Sequence, residues 1–284
     1  MSRFRFVSVC STALAVAVGL GSTVGARQLP LQPARESGQS ITAAFEGWYQ
    51  NPDGSYTLLV GYFNRNLKET LDIPVGPNNH IEPGGPDQGQ PTHFLPRRQW
   101  GVFTIKVPKD FGDKRLTWTI VANGQTMSVP IGIVKGYQVE PFKEVAQGNE
   151  PPRLQFDPKG PTFSGPPVGI AATLSGTVGQ PVTLEATVAD GGENDPELSP
   201  IQMKQPPIVV VWSKFRGPGT VTFAQARPTV EKGNVSTTAT FSAPGEYILR
   251  AQVNDRSGDG GGGFQCCWTN AHVKVSITGS AATK

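Results

Sequence analysis

The stretch that decides the fold is Val235–Val253, which reads VSTTATFSAPGEYILRAQV. Apolar and polar residues alternate on both sides of Pro244-Gly245, a dipeptide typical of turns. Such alternation places one face of each strand in a core and the other toward solvent. Three further segments have the same character: Val182–Val188, Ile208–Trp212 and His272–Ile277. Short strands separated by turn residues in this way predict a β-sandwich.

The composition extends this prediction to the whole chain. Of 284 residues, 34 are glycine and 26 are proline, and helices tolerate neither residue well. We therefore expect an all-β protein. The formal net charge is +3, and it falls by two if Arg3 and Arg5 are removed with a leader segment. A balance so close to neutral gives no electrostatic basis for binding nucleic acid or an anionic membrane.

The N-terminal segment, residues 1–26, has the features of a signal peptide. Arg3 and Arg5 precede an apolar run from Val7 to Leu20, which is too short for a comfortable membrane span. Val24-Gly25-Ala26 supplies the small residues of a cleavage site, so we expect cleavage after Ala26. The alternative is a retained N-terminal anchor. The expected location is outside the cytoplasm: extracellular, at the cell surface or periplasmic.

The rest of the chain divides into two predicted sandwiches. Residues 27–40 are polar and aperiodic and are predicted to be a flexible N-terminus. Residues 41–139 contain strand-like runs separated by turns such as Asn51-Pro52-Asp53-Gly54. Residues 140–167 are rich in proline and predict an extended, semi-rigid linker. The second sandwich is predicted to span residues 168–278, and residues 279–284 form a tail.

Three segments of the second sandwich carry a resemblance to a known family. They are WSKFRGPGTVTF at 212–223, TATFSAPGEYILR at 238–250, and Val253-Asn254-Asp255. Together they resemble the PKD/REJ-type immunoglobulin-like modules of bacterial exported proteins. By analogy with such sandwiches, Trp212 is expected on a central strand across the core, and Tyr247 as a corner tyrosine. The first sandwich resembles the N-terminal part of uncharacterised exported bacterial proteins, a likeness that implies no activity.

Acidic residues cluster in two loops that this topology brings to one pole of the second sandwich. Carboxylates that lie so close together repel one another unless a cation lies between them. Calcium is bound in this way, by six to eight oxygens from flexible loops, and is the one cofactor that the sequence suggests. The alternative is that these are solvated turn residues. The residues are Asp190, Glu193, Asp195 and Glu197 in one loop, and Asp255 and Asp259 in the other.

The adjacent pair Cys266-Cys267 cannot link distant segments. In an oxidising compartment the pair has three fates: a vicinal disulfide, pairing with another chain, or two free thiols. We favour the vicinal disulfide, because no other cysteine follows the predicted leader. With Phe264 and Trp268 beside it, the pair is a candidate binding surface. The alternative is that it only stiffens a glycine-rich loop.

An alternative metal site is suggested by the long segment between Pro74 and Pro96, which shows no strand pattern. His80, Glu82, Asp87 and His93 are metal-compatible ligand types in this segment. Their spacing matches no known motif, and Gly-Pro turn chemistry explains the segment equally well. No hydrolase or zinc-protease motif occurs elsewhere in the chain.

These features favour a secreted, non-enzymatic binding or assembly protein, such as an adhesion, surface, or extracellular matrix or filament component. Its expected partner is a protein or polysaccharide at the cell surface, or another copy of itself. One alternative is a carbohydrate-binding accessory protein that uses Trp268 and the predicted calcium pole. Another is a metal-dependent enzyme with a site in the His80–His93 segment.

Overall fold

The computed structural model describes residues 35–139, 142, 148–190, 206–256 and 266–279. All of its regular elements are β-strands, which confirms the all-β prediction. Within this part of the chain, no helix is long and apolar enough to cross a membrane. Several residues singled out above lie outside the described ranges: the predicted signal peptide, Glu193, Asp195, Glu197, Asp259 and Phe264.

The first sandwich is built from two three-stranded sheets, β1-β2-β6 and β4-β7-β8, with a small β3-β5 pair beside them. Aromatic rings fill the space between the sheets: Trp118 is fully buried and meets Phe103 edge to face, with centroids 5.1 Å apart. The strands are β1 (Ile41–Gln50), β2 (Tyr56–Asn64), β3 (Leu71–Asp72), β4 (Asn79–Glu82), β5 (His93–Phe94), β6 (Arg97–Val107), β7 (Arg115–Ala122) and β8 (Gln125–Gly132).

The segment between Pro74 and Pro96 is more ordered than its sequence suggests, because it contributes β4 and β5. Asn79 is fully buried at the start of β4, and its side chain adds hydrogen bonds to those that pair β4 with β7. Its Nδ2 donates to the carbonyls of Ile73 and Pro91, and its Oδ1 accepts from Nε1 of Trp118 at 2.9 Å. A single buried amide therefore satisfies backbone that turn residues leave unpaired.

The second sandwich has two four-stranded sheets, β13-β14-β11-β9 and β10-β16-β15-β12. This is the ABED and GFC strand order of an immunoglobulin-like fold, with β10 added in parallel to β16. The strands are β9 (Arg153–Gln155), β10 (Ala172–Thr177), β11 (Val182–Ala189), β12 (Ile208–Arg216), β13 (Val221–Phe223), β14 (Asn234–Phe241), β15 (Gly245–Asp255) and β16 (Trp268–Thr278).

Strand β9 lies inside the segment that proline content suggested was a linker. It pairs antiparallel with β11, and Leu154 is fully buried in the second core. Three residues without proline are enough for this pairing, because Pro151-Pro152 ends before them and Pro158 follows them. The first strand of the second sandwich thus begins about fifteen residues before Val168, at Arg153.

Two local predictions for the second sandwich can be compared with the structure directly. Tyr247 is fully buried, and its hydroxyl donates to the carbonyl of Ala243 at 2.8 Å, which confirms the tyrosine corner. Trp212 packs in the core as expected, but its strand β12 stands at the edge of its sheet and not at the centre.

Candidate functional site: the junction of the two sandwiches

The two sandwiches meet along a buried seam between β6 and the outer face of β15 and β16. Because side chains alternate along a strand, Leu249 and Ala251 of β15 enter the second core while Arg250 points to the first sandwich. Arg250 is only 2% exposed. Its Nη1 donates to Oε1 of Gln99 at 3.0 Å, and its Nη2 donates to the carbonyl of Trp100 at 2.9 Å. A charged side chain of one sandwich is therefore solvated by the other.

Two polar side chains of β16 extend the same seam. Nδ2 of Asn270 donates to the carbonyls of Trp100 and Gly101, at 3.2 and 3.1 Å. Nε2 of His272 lies 3.0 Å from the carbonyl oxygen of Val102. Burial, with the neighbouring charge of Arg250, lowers the pKa of His272 to about 4. At neutral pH the ring is therefore uncharged, and its Nε2–H donates a hydrogen bond to the carbonyl of Val102 in β6.

The apolar part of the seam is the contact between Trp268 and Gly101. Gly101 has a positive φ of 50°, and a Cβ built on it would overlap the indole ring of Trp268. Trp268 is fully buried, and the ring of Phe142 meets it edge to face at 5.6 Å. This corrects the expectation that Trp268 contributes to an exposed binding surface. Its side chain is part of the junction, so it cannot stack on a sugar.

A buried carboxylate supports the seam from the side of the first sandwich. Oε2 of Glu46 accepts the backbone N–H of Gly101 at 2.7 Å, and Oε1 accepts Nη2 of Arg98 at 2.6 Å. Burial raises the pKa of Glu46 to about 7, although the charges of Arg98 and Arg250 act in the opposite direction. Glu46 thus fixes the position of the backbone at Gly101, against which Trp268 packs.

At one end of the seam, the sulfurs of Cys266 and Cys267 lie at the distance of a vicinal disulfide, immediately before β16. Sγ of Cys266 lies 3.6 Å from the carbonyl oxygen of Asn149. Nδ2 of Asn149 donates to Oδ2 of Asp255 at 2.7 Å. Of the residues in the predicted calcium pole, Asp190 directly follows β11 and is exposed, whereas Asp255 is buried at the end of β15.

At the other end of the seam, ion pairs join the sandwiches. Nζ of Lys214 donates to Oδ1 of Asp72 at 3.0 Å, and Nδ1 of His93 lies 2.9 Å from the same oxygen. Burial alone would raise the pKa of Asp72, but hydrogen bonds from His93 and Lys214 hold it below its usual value. Arg216 makes a bidentate pair with Asp87, at 2.9 and 2.7 Å. Asp72, Lys214 and Arg216 border an open groove of about 690 Å³ between the sandwiches.

Phe215 is a residue of the second sandwich whose side chain packs in the core of the first. It is 2% exposed and belongs to the hydrophobic core of the first sandwich, although β12 is a strand of the second. Its ring lies against that of His272, with centroids 4.2 Å apart and the planes tilted by 35°, and its carbonyl accepts the N–H of Thr92. A bulge in the pairing of β12 with β15, between Lys214 and Arg216, turns the side chain outward.

The alternative metal ligands of the first sandwich are not brought together. His93 lies within hydrogen-bond distance of Asp72, and Asp87 is paired with Arg216. Nδ1 of His80 faces the carbonyls of Gly76 and Pro77. In the described part of the chain, no group of three or more His, Cys, Asp or Glu side chains is arranged to hold a metal ion. In the described structure His80, Glu82, Asp87 and His93 do not form such a group. Asp87 belongs to an ion pair of the junction instead, and His93 lies within hydrogen-bond distance of Asp72.

Sequence reasoning missed the residues that matter most at the junction: Arg250, Asn270, Gln99 and Gly101. A signal was present, because the neighbouring strands β15 and β16 both carry polar residues at the positions that alternate with their core residues. Solvent-facing positions usually hold such residues. The pattern by itself therefore could not distinguish a solvent-exposed sheet face from one that packs against another sandwich.

A scan against protein-family models gives no match, and a search of curated proteins gives none either. The solved structures that match include the D00-D0 domain of intimin, with a TM-score of 0.27 and 13% identity over 84% of this chain and 100% of that chain. Domains 4 and 5 of the S-layer protein SbsC match with a TM-score of 0.24 and 12% identity, over 84% and 98% of the two chains. The Yersinia pseudotuberculosis adhesin InvE matches with a TM-score of 0.25 and 10% identity, over 85% of this chain and 60% of that chain. At such TM-scores the immunoglobulin-like assignment rests on the strand order alone.

Proposed function

We propose that this chain is an exported, non-enzymatic binding or assembly module that works outside the cytoplasm as one rigid body made of two sandwiches. The observation that carries the proposal is the seam, in which Arg250 is buried and donates to Gln99 and Trp100 of the other sandwich. Adhesion and surface assembly both need a spacer or platform whose parts keep a fixed orientation.

The energetics of the seam support a fixed orientation. Separating the sandwiches would expose Trp268 and Phe215, both now buried. Large aromatic side chains bury 150–250 Å² each, so exposure of each would cost on the order of 4–6 kcal/mol at about 25 cal/mol per Å². Burial of these two rings therefore opposes independent motion of the sandwiches.

The chemistry of the junction supports a non-enzymatic role. Two ion pairs join the sandwiches, Lys214 with Asp72 and Arg216 with Asp87, while Arg98 pairs with Glu46 inside the first sandwich. The extracytoplasmic location is supported by the leader-like residues 1–26 and by the Cys266–Cys267 pair, since disulfides persist in oxidising compartments. The expected partner remains a surface protein, a polysaccharide or a second copy of this chain. Calcium at Asp190, Glu193, Asp195, Asp255 and Asp259 is part of the same proposal.

The test combines location with rigidity. Cells that produce the full chain are labelled with a membrane-impermeant reagent, and purified protein beginning at Arg27 is measured by small-angle X-ray scattering. We expect surface or periplasmic labelling and a scattering curve fitted by one rigid conformation. The same protein is then tested for self-association by analytical ultracentrifugation and for retention on envelope polysaccharides. Cytoplasmic protein, or scattering that requires freely moving sandwiches, would contradict the proposal.

A further inference from the structure

The disulfide lies where it can control the seam. Cys267 directly precedes Trp268, the indole that packs against Gly101. Trp268 pairs with Asn254 at the end of β15, and the N–H of Asp255 faces the carbonyl oxygen of Cys267 at 3.5 Å. The cysteines therefore occupy the point at which β16 enters both its sheet and the junction.

A disulfide between neighbours closes a small ring that includes the peptide bond joining them. Such a ring removes most of the torsional freedom of its two residues. Because both cysteines are buried, neighbouring protein also holds the ring in place. The direction in which the chain reaches Trp268 is thus fixed covalently as well as by packing.

The buried position of Trp268 carries an unfavourable free-energy contribution. The described residues offer no hydrogen-bond acceptor to its Nε1–H, which is buried. A buried donor without a partner loses the free energy of its interaction with water. Leaving the seam would return that interaction to the indole, so the buried position depends on the groups that hold it.

The reduced form also has favourable contacts available. Sγ of Cys266 lies 3.7 Å from the carbonyl oxygen of Phe142 and 3.6 Å from that of Asn149. A disulfide sulfur has no proton to donate, whereas a thiol is a weak donor. Reduction would therefore create a hydrogen bond at the site where it removes a covalent constraint.

We propose that the Cys266–Cys267 disulfide is a redox-operated lock on the seam: when oxidised it holds Trp268 against Gly101, and a dithiol reductant releases the indole. In the opening step the dithiol supplies two electrons and two protons. The S–S bond breaks, each sulfur becomes a thiol, and the reductant becomes a disulfide. This inference concerns the regulation of the rigid unit proposed above and rests on it.

The experiment compares oxidised protein, beginning at Arg27, with the same protein after dithiothreitol. Alkylation and intact mass give the thiol count, and amide hydrogen exchange is followed in peptides that cover β6, β16 and, as an internal reference, β14. We expect reduction to speed exchange around Gly101 and at the start of β16 by about tenfold or more, with β14 unchanged. The double variant Cys266→Ser/Cys267→Ser should show the fast pattern with and without dithiothreitol.

The outcomes separate the lock from the rigid unit. Slow exchange in the seam of both oxidised and fully reduced protein would overturn the lock and leave the rigid unit in place. Fast exchange in the seam of the oxidised protein would overturn the rigid unit itself. An equal rise in β6, β16 and β14 on reduction would mean that the disulfide stabilises the whole fold, which also overturns the lock.

Discussion

The backbone of Gly101 in the first sandwich lies directly against the indole ring of Trp268 in the second, with no room for a Cβ between them. Oε2 of Glu46 holds the N–H of Gly101 from the opposite side. The smallest residue of one sandwich and the largest side chain of the other therefore define the distance between β6 and β16.

The first prediction concerns this contact. Gly101→Ala should lower the free energy of unfolding by about 3 kcal/mol or more, because the added methyl overlaps the ring of Trp268 and φ is positive. Chemical denaturation measures the change. Gly85→Ala is the matched control, since the nearest atom to a Cβ there is 4.0 Å away. Equal stability of the two variants would contradict the packing described.

The second prediction concerns the buried guanidinium. Arg250→Met should destabilise the protein by about 2–4 kcal/mol, because it removes a buried guanidinium and leaves part-buried acceptors on Gln99 and Trp100 without their donor. Arg153→Met serves as the control, since Arg153 is exposed on β9. Scattering should also show loss of the fixed orientation in Arg250→Met alone. A stable, rigid Arg250→Met protein would mean that the guanidinium does not join the sandwiches.

The third prediction is that the buried side chains of Glu46 and His272 change the free energy of unfolding in opposite directions as pH changes. Between pH 4.5 and about 7 the folded protein keeps a proton on Glu46 that the unfolded chain releases, because burial raises the pKa of Glu46. Stability from this group therefore falls as pH rises. Burial lowers the pKa of His272 from 6.5 to about 4, so the unfolded chain binds a proton that the folded protein excludes, and stability from His272 falls as pH drops.

Each effect is on the order of 3 kcal/mol over its range, and in the wild type they largely cancel between pH 4.5 and 6.5. Unfolding is measured against pH for Glu46→Gln and His272→Gln. Relative to wild type, Glu46→Gln should gain stability as pH rises to 7, and His272→Gln should gain stability as pH falls to 4. Difference curves that stay flat would show that neither group titrates as its burial implies.

The fourth prediction concerns the tyrosine corner of the second sandwich. The hydroxyl of Tyr247 donates to Ala243 and accepts the N–H of Gly219 at 3.0 Å. Tyr247→Phe should cost about 1–3 kcal/mol, because it leaves those backbone groups unpaired. Tyr137→Phe should have little effect, since Tyr137 is 54% exposed. Thermal unfolding of both variants provides the comparison.

Local features of the fold could be predicted from sequence, and the junction could not. The alternating strands on either side of Pro244-Gly245 and the placement of Tyr247 depend on short segments, so their pattern is visible in one stretch of chain. Trp268 has the same local pattern whether its strand faces solvent or another sandwich. Its partner Gly101 is far away in sequence, and nothing near either residue indicates the contact.

The segment containing Asn79 shows the same limit in another form. Turn residues and missing periodicity suggested a loop, because periodicity detects strands through their apolar side chains. Here a buried amide replaces much of the apolar contribution, and hydrogen bonds to Ile73 and Pro91 hold β4 in place. The predicted linker was misleading for a similar reason, since a strand of three residues such as β9 is too short to show a period.

Phe215 links the structure to the order in which the chain is made. It completes the core of the first sandwich but follows the last strand of that sandwich by more than eighty residues. A chain that emerges N-terminus first, from a ribosome or across a membrane, cannot finish its first sandwich until β12 has also emerged. If translation or translocation stops before β12, the core of the first sandwich lacks the side chain of Phe215, and the apolar residues that it covers are exposed. A protease or chaperone could recognise these exposed apolar residues in an incomplete chain.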